Sequence, residues 1–151
     1  MCTLKLSLTF VVTAALIGCR REQPAPPKPP DGNSAASKPF LVKSNGGIDH
    51  EFYRDMSLDA FLKQLPQGSI DSVNLDFGKG PQVFALVKVP EQPGKDLTKI
   101  RFETSFKTED GNVIIKGWTA AKDRKSGSAA AVFSVPPSVI DGETKVVDNR
   151  D

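Results

Sequence analysis

Beyond residue 39 the apolar positions of this chain keep two rhythms. Leu58, Phe61, Leu62 and Leu65 recur at i, i+3, i+4 and i+7, which is one face of a helix. Ser57 is placed to cap its first turn, Asp59 suits the positive end, and Pro66 with Gly68 stops it. At about two and a half turns this helix must dock on something to be stable. After Gly68 the period drops to two. Val73, Leu75 and Phe77 alternate with Ser72, Asn74 and Asp76, and Gly78-Lys79-Gly80-Pro81 reads as a hairpin turn into the next strand. In that strand Val83, Ala85, Val87 and Val89 make one face, and Phe84 and Leu86 make the other. Such a strand wants cover on both sides, and the short helix is the natural lid for Phe84 and Leu86. Ile100, Phe102, Thr104 and Phe106 alternate strictly with charged or polar residues, a strand with one wet face. Asp110-Gly111 is the strongest short-range hairpin signal in the chain, and Asn112–Trp118 returns from it. Ala129–Val135 follows a polar turn at Lys122–Ser128, and Pro136-Pro137 ends it. Val139-Ile140, the turn Asp141-Gly142 and Thr144–Val147 suggest a closing edge strand. A further short strand is expected at Phe40–Lys43, closed by the turn Asn45-Gly46-Gly47.

About seven short strands with regular turn signals predict an all-β fold, an antiparallel β-sandwich of the broad immunoglobulin/fibronectin-like architecture with one short helix. The alternative is a single antiparallel sheet covered by the helix. The Cys…Trp…Cys spacing of antibody domains is missing, so the expectation rests on pattern alone.

The first 38 residues have a different character. Leu6–Ile17 is an apolar stretch of about a dozen residues behind Lys5, the length of a signal-peptide core and short of the roughly 20 that span a bilayer. It ends in Leu16-Ile17-Gly18-Cys19. That run resembles the lipobox of bacterial lipoprotein precursors. The resemblance implies cleavage before Cys19, acylation of the Cys19 sulfur and amino terminus, and anchoring to a cell-envelope membrane. Arg20 follows the Cys where Asp would favour inner-membrane retention, so an outer-membrane address is implied if the organism has two membranes. Residues 20 to 38 carry no apolar side chain larger than Ala except Pro, and read as a disordered tether with polyproline II character between Pro24 and Pro30. The expected organisation is a signal peptide at 1–18, a lipidated Cys and tether at 19–38, and one β-rich domain at 39–151.

Composition narrows the chemistry. A formal charge of +2 lacks the basic excess of a nucleic-acid binder. Of the two cysteines, Cys2 goes with the signal and Cys19 with the lipid, so no thiol is left for a disulfide, nucleophile or metal site. The one histidine, His50, stands between Asp49 and Glu51, which on a strand point to the opposite face, and it reads as a surface residue. No nucleophile elbow, phosphate loop or metal-ligand run is present. No catalytic activity, cofactor or metal is therefore expected. The expected partners are the membrane, through the lipid, and another envelope protein.

The Asp110-Gly111 hairpin bears on a binding face. A loop of two or four residues sets Phe106 against Ile115 and Lys107 against Ile114, and places Trp118 and Ile114 on the polar face as a platform for a sugar ring or protein. A loop of three or five residues turns Trp118 inward. Lys122, Arg124 and Lys125 at the next turn are candidate contacts for phosphates.

Overall fold

The structure, a computed structural model, describes residues 36–76, 82–124 and 127–148. The chain divides into two units, Met1–Asn33 and Ser34–Asp151, and every described residue belongs to the second. Among them are eight strands: β1 (Leu41–Asn45), β2 (Ile48–Tyr53), β3 (Ser72–Asn74), β4 (Val83–Val89), β5 (Ile100–Thr108), β6 (Val113–Thr119), β7 (Ala129–Val135) and β8 (Val139–Asp148). The helix α1 (Leu58–Lys63) connects β2 to β3. A five-stranded sheet of order β1-β2-β4-β7-β3 faces a three-stranded sheet of order β6-β5-β8, and the fold is a sandwich-like all-β domain.

The alternating residues of both sheets meet in one core. Phe52, Val87 and Phe133 come from the larger sheet, and Phe102, Phe106 and Trp118 from the smaller. Phe106 bridges them, with its ring edge-on to Phe52 at 6.0 Å and to Phe133 at 5.3 Å. Such edge-to-face contacts add to plain area burial. The second face of β4 is covered as its sequence requires. Phe61 of α1 is fully buried and stacks on Phe84 at 5.3 Å, with Tyr53, Leu86 and Val132 around it. Burying one such ring stabilises by roughly 1.5–3 kcal/mol, which anchors a helix of six residues. Ser57 caps α1, its hydroxyl accepting from the Ala60 amide at 3.2 Å.

Two sequence expectations change. β3 does not return as a hairpin onto β4, because both edges of β4 are occupied by β2 and β7. It runs parallel to β7 instead. Asp71 fixes it there: its amide donates to Ala130 O at 2.8 Å, and its carboxylate accepts from the amides of Ala130 at 2.8 Å and Ala121 at 3.1 Å. The other change is β2, a strand the hydrophobic pattern did not single out. Its inward phase is Ile48, His50 and Phe52, all buried. His50 is therefore a core residue and not a surface one, while Asp49 and Glu51 do take the opposite face.

Candidate functional site

The β5–β6 hairpin decides what the smaller sheet shows to solvent. Thr108 pairs with Asn112, its amide donating to the Asn112 carbonyl at 2.9 Å, so the loop is Glu109-Asp110-Gly111. Gly111 has φ +79° and its amide donates back to Thr108 O at 2.9 Å. This is a three-residue turn closed by a left-handed glycine. Phe106 consequently faces Ile114, and Phe102 faces Trp118. The even-loop expectation that put Trp118 and Ile114 on the polar face is overturned by this single residue of loop length. Trp118 is 4% exposed and stacks on Phe102 at 4.3 Å, and Ile114 packs against the core. Trp118 offers no ring to a sugar.

The same shift turns Val113 and Ile115 outward. They are 53% and 68% exposed, the latter the most exposed large apolar residue described. β6 is an edge strand. Thr108 and Asn112 exchange a backbone hydrogen bond, so by antiparallel alternation Phe106–Ile114, Thr104–Lys116 and Phe102–Trp118 do likewise. Val113, Ile115, Gly117 and Thr119 then direct their N–H and C=O groups away from β5. Free backbone groups and exposed side chains thus belong to the same residues. Among the described residues no backbone group pairs with that edge. The strand holds no proline, and its one charge, Lys116, lies on the other phase and is drawn to Asp76. Natural edge strands are commonly guarded by charge or proline, and this one presents an open template instead.

The turn after β6 does not form a free basic cluster. Arg124 is spent on structure: Nε pairs with Asp71 Oδ1 at 2.8 Å, one terminal nitrogen donates to Gly68 O at 2.7 Å, and the other donates to Ser128 O. Lys122 is exposed. Lys125 lies outside the described residues, as does Cys19.

A polar chain crosses the core. Trp118 Nε1 donates to Thr104 Oγ1 at 3.0 Å, Thr104 Oγ1 lies 2.9 Å from Thr144 Oγ1, and Thr144 Oγ1 lies 2.9 Å from His50 Nε2. It joins β6, β5 and β8 of one sheet to β2 of the other. Indole nitrogen only donates, so Thr104 accepts from Trp118, and the roles of the two threonines and His50 Nε2 beyond it follow the histidine tautomer. Nδ1 is buried without a hydrogen-bond partner. Burial holds the His50 pKa below its ordinary value, and the Lys43 backbone and the carboxylates of Asp141, Asp49 and Glu143 pull the other way. The imidazole has no solvent exposure, and the hydrogen-bonded chain ties the two sheets together. No group of metal-ligating residues and no helix able to cross a membrane occur among the described residues.

No family model, curated protein or solved structure matches the chain.

Proposed function

We propose that this protein is a lipid-anchored interaction module of a bacterial cell envelope, without catalytic activity, that docks a second envelope protein on the edge of β6. The observation that carries the reading is the coincidence at Val113 and Ile115 of exposed apolar side chains with unpaired edge backbone. Main-chain hydrogen bonds from an added strand supply affinity at such an edge, and the alternate side chains supply choice of partner. The anchoring half of the reading rests on Leu16-Ile17-Gly18-Cys19, and the outer-membrane address on Arg20.

The test is a photo-crosslinking residue placed at Ile115, with the exposed helix position Asp59 as control, in cells that make the full chain. One protein adduct of defined stoichiometry at Ile115, absent at Asp59 and lost with Val113→Lys, supports the module. No adduct at Ile115, or the same adducts from both positions, removes it.

A further inference from the structure

The outer face of the larger sheet is only partly covered by α1. At the C-terminal end of the helix an open cavity of about 470 Å³ remains, within the range of about 300–1,000 Å³ typical of ligand sites. Its walls are mainly apolar, with Tyr53 and Leu86 from the sheet and Leu65 and Ile70 from the segment following α1.

The charges around it are not equally satisfied. Lys88 stands opposite Asp49 in the β2–β4 register, but its ammonium pairs with Glu51 Oε1 at 2.5 Å. The other Glu51 oxygen accepts from the Tyr53 hydroxyl at 2.6 Å. Burial and this neighbouring carboxylate raise the Tyr53 pKa, so the phenol stays a donor. Arg124, on the far wall, has all three nitrogens engaged. The Asp49 carboxylate is left with no hydrogen bond or ion pair among the described residues. Lys88 with Glu51 and Arg124 with Asp71 cancel, and one negative charge remains. An anionic ligand would meet Asp49 and gain little from cations already paired. The rim, moreover, already receives main chain: Ser37 N donates to Gln64 Oε1 at 3.0 Å, and Ala36 and Ser37 line the cavity.

We propose that this groove binds an extended peptide segment of a partner protein, with an aliphatic or proline side chain on the Leu65–Leu86 wall and a lysine or arginine against Asp49. The site is separate from the β6 edge, which belongs to the other sheet.

The test uses the full-length chain, purified from membranes in a zwitterionic detergent, and two probes: acetyl-Pro-Leu-Lys-Pro-Leu-amide and the same peptide with Glu for Lys. Calorimetry at low salt should show the Lys peptide binding about fivefold tighter or more, the effect of one partly exposed ion pair. The preference should shrink at high salt and vanish in Asp49→Asn. Ala130→Leu, which fills the floor, and Ser128→Trp, which blocks the exposed rim, should each abolish binding of both peptides. Because Ser128 lies outside the core, that variant separates blockade from misfolding. Equal binding of the two peptides, binding of neither at millimolar concentration, or an unchanged preference in Asp49→Asn would each overturn the proposal. None of these outcomes bears on the Ile115 crosslink.

Discussion

Gly142 leaves the room that the His50 ring occupies: a Cβ at that position would stand 2.9 Å from His50 Cδ2 and 3.0 Å from Cγ. The requirement is for space and not for backbone freedom, since Gly142 is not among the glycines with positive φ. The close approach also holds the sandwich shut at this side, where Asn45 Nδ2 donates to Gly142 O at 2.6 Å. Gly142→Ala should therefore cost about 1–3 kcal/mol, the range for overpacking a filled core. In His50→Ala the same change should cost much less, and the two effects should fail to add in a double-mutant cycle by urea unfolding. Additive losses would show that the ring is not what Gly142 accommodates.

The same histidine gives the fold a pH dependence. Its pKa is lowered in the folded state, so the unfolded chain binds the extra proton first as pH falls. Stability is complete above the unfolded value near 6.5 and declines below it, by at most about 1.4 kcal/mol per pH unit for one proton, until pH reaches the depressed folded value. Protonation would also make Nε2 a donor to Thr144 whichever tautomer the neutral ring holds. Denaturant midpoints at pH 7.5 and 5.0 should differ in the native chain, and the difference should shrink in His50→Gln. An unchanged difference would place the titration elsewhere.

Arg124 and Lys122 share a turn but differ in role. The Asp71 side chain is fully buried, and Arg124 is the one cation paired with it among the described residues. Removing one partner of a buried pair leaves an uncompensated charge, and Arg124→Ala should cost about 3 kcal/mol. The two amides that still reach Asp71 temper the loss. Lys122→Ala should stay within about 0.5 kcal/mol of the native chain. Equal effects in thermal unfolding would contradict the structural role of Arg124.

If Cys19 carries the lipid as proposed, Cys19→Ser should leave the chain unacylated and move it from membranes to the soluble fraction. Mass spectrometry of the mature amino terminus and fractionation after a high-salt wash check this. A variant still bound after the wash would mean that something other than lipid holds the protein.

What could be read from the chain follows from which forces are local. The two-faced apolar run of β4 requires a lid, and Leu58, Phe61, Leu62 and Leu65 supply the one nearby apolar face, so the α1–β4 contact was legible. β2 was not, because the middle residue of its inward phase is a histidine whose partner Thr144 lies 94 residues away. Nor was β3, whose place depends on Asp71 meeting Ala121 and Ala130 across the fold. The register of β6 was open for a different reason. Its two phases, Val113, Ile115, Gly117 and Thr119 against Ile114, Lys116 and Trp118, are almost equally apolar, so hydrophobicity cannot choose between them. Loop length chooses, and Asp-Gly suits both a two-residue turn and the last two positions of a three-residue one. The groove at Asp49 stayed hidden because an unpaired carboxylate is visible only once its neighbours' partners are known.

That ambiguity at β6 makes the sharpest comparison between two side chains of one strand. Trp118 fills core space against Phe102 and donates to Thr104, whereas Ile115 stands mostly in water. Trp118→Ala should lose about 3–5 kcal/mol through the cavity and should also leave Thr104 without its indole donor. Trp118→Phe keeps most of the volume and should lose the hydrogen bond, about 1 kcal/mol. Ile115→Ala should leave the unfolding midpoint almost unchanged while weakening the Ile115-side partner contact. The native fluorescence should be that of a buried indole, shifting red only on unfolding. A two- or four-residue loop would reverse this order, with Ile115 the costly position and Trp118 the silent one, so a urea series on these three variants decides the register.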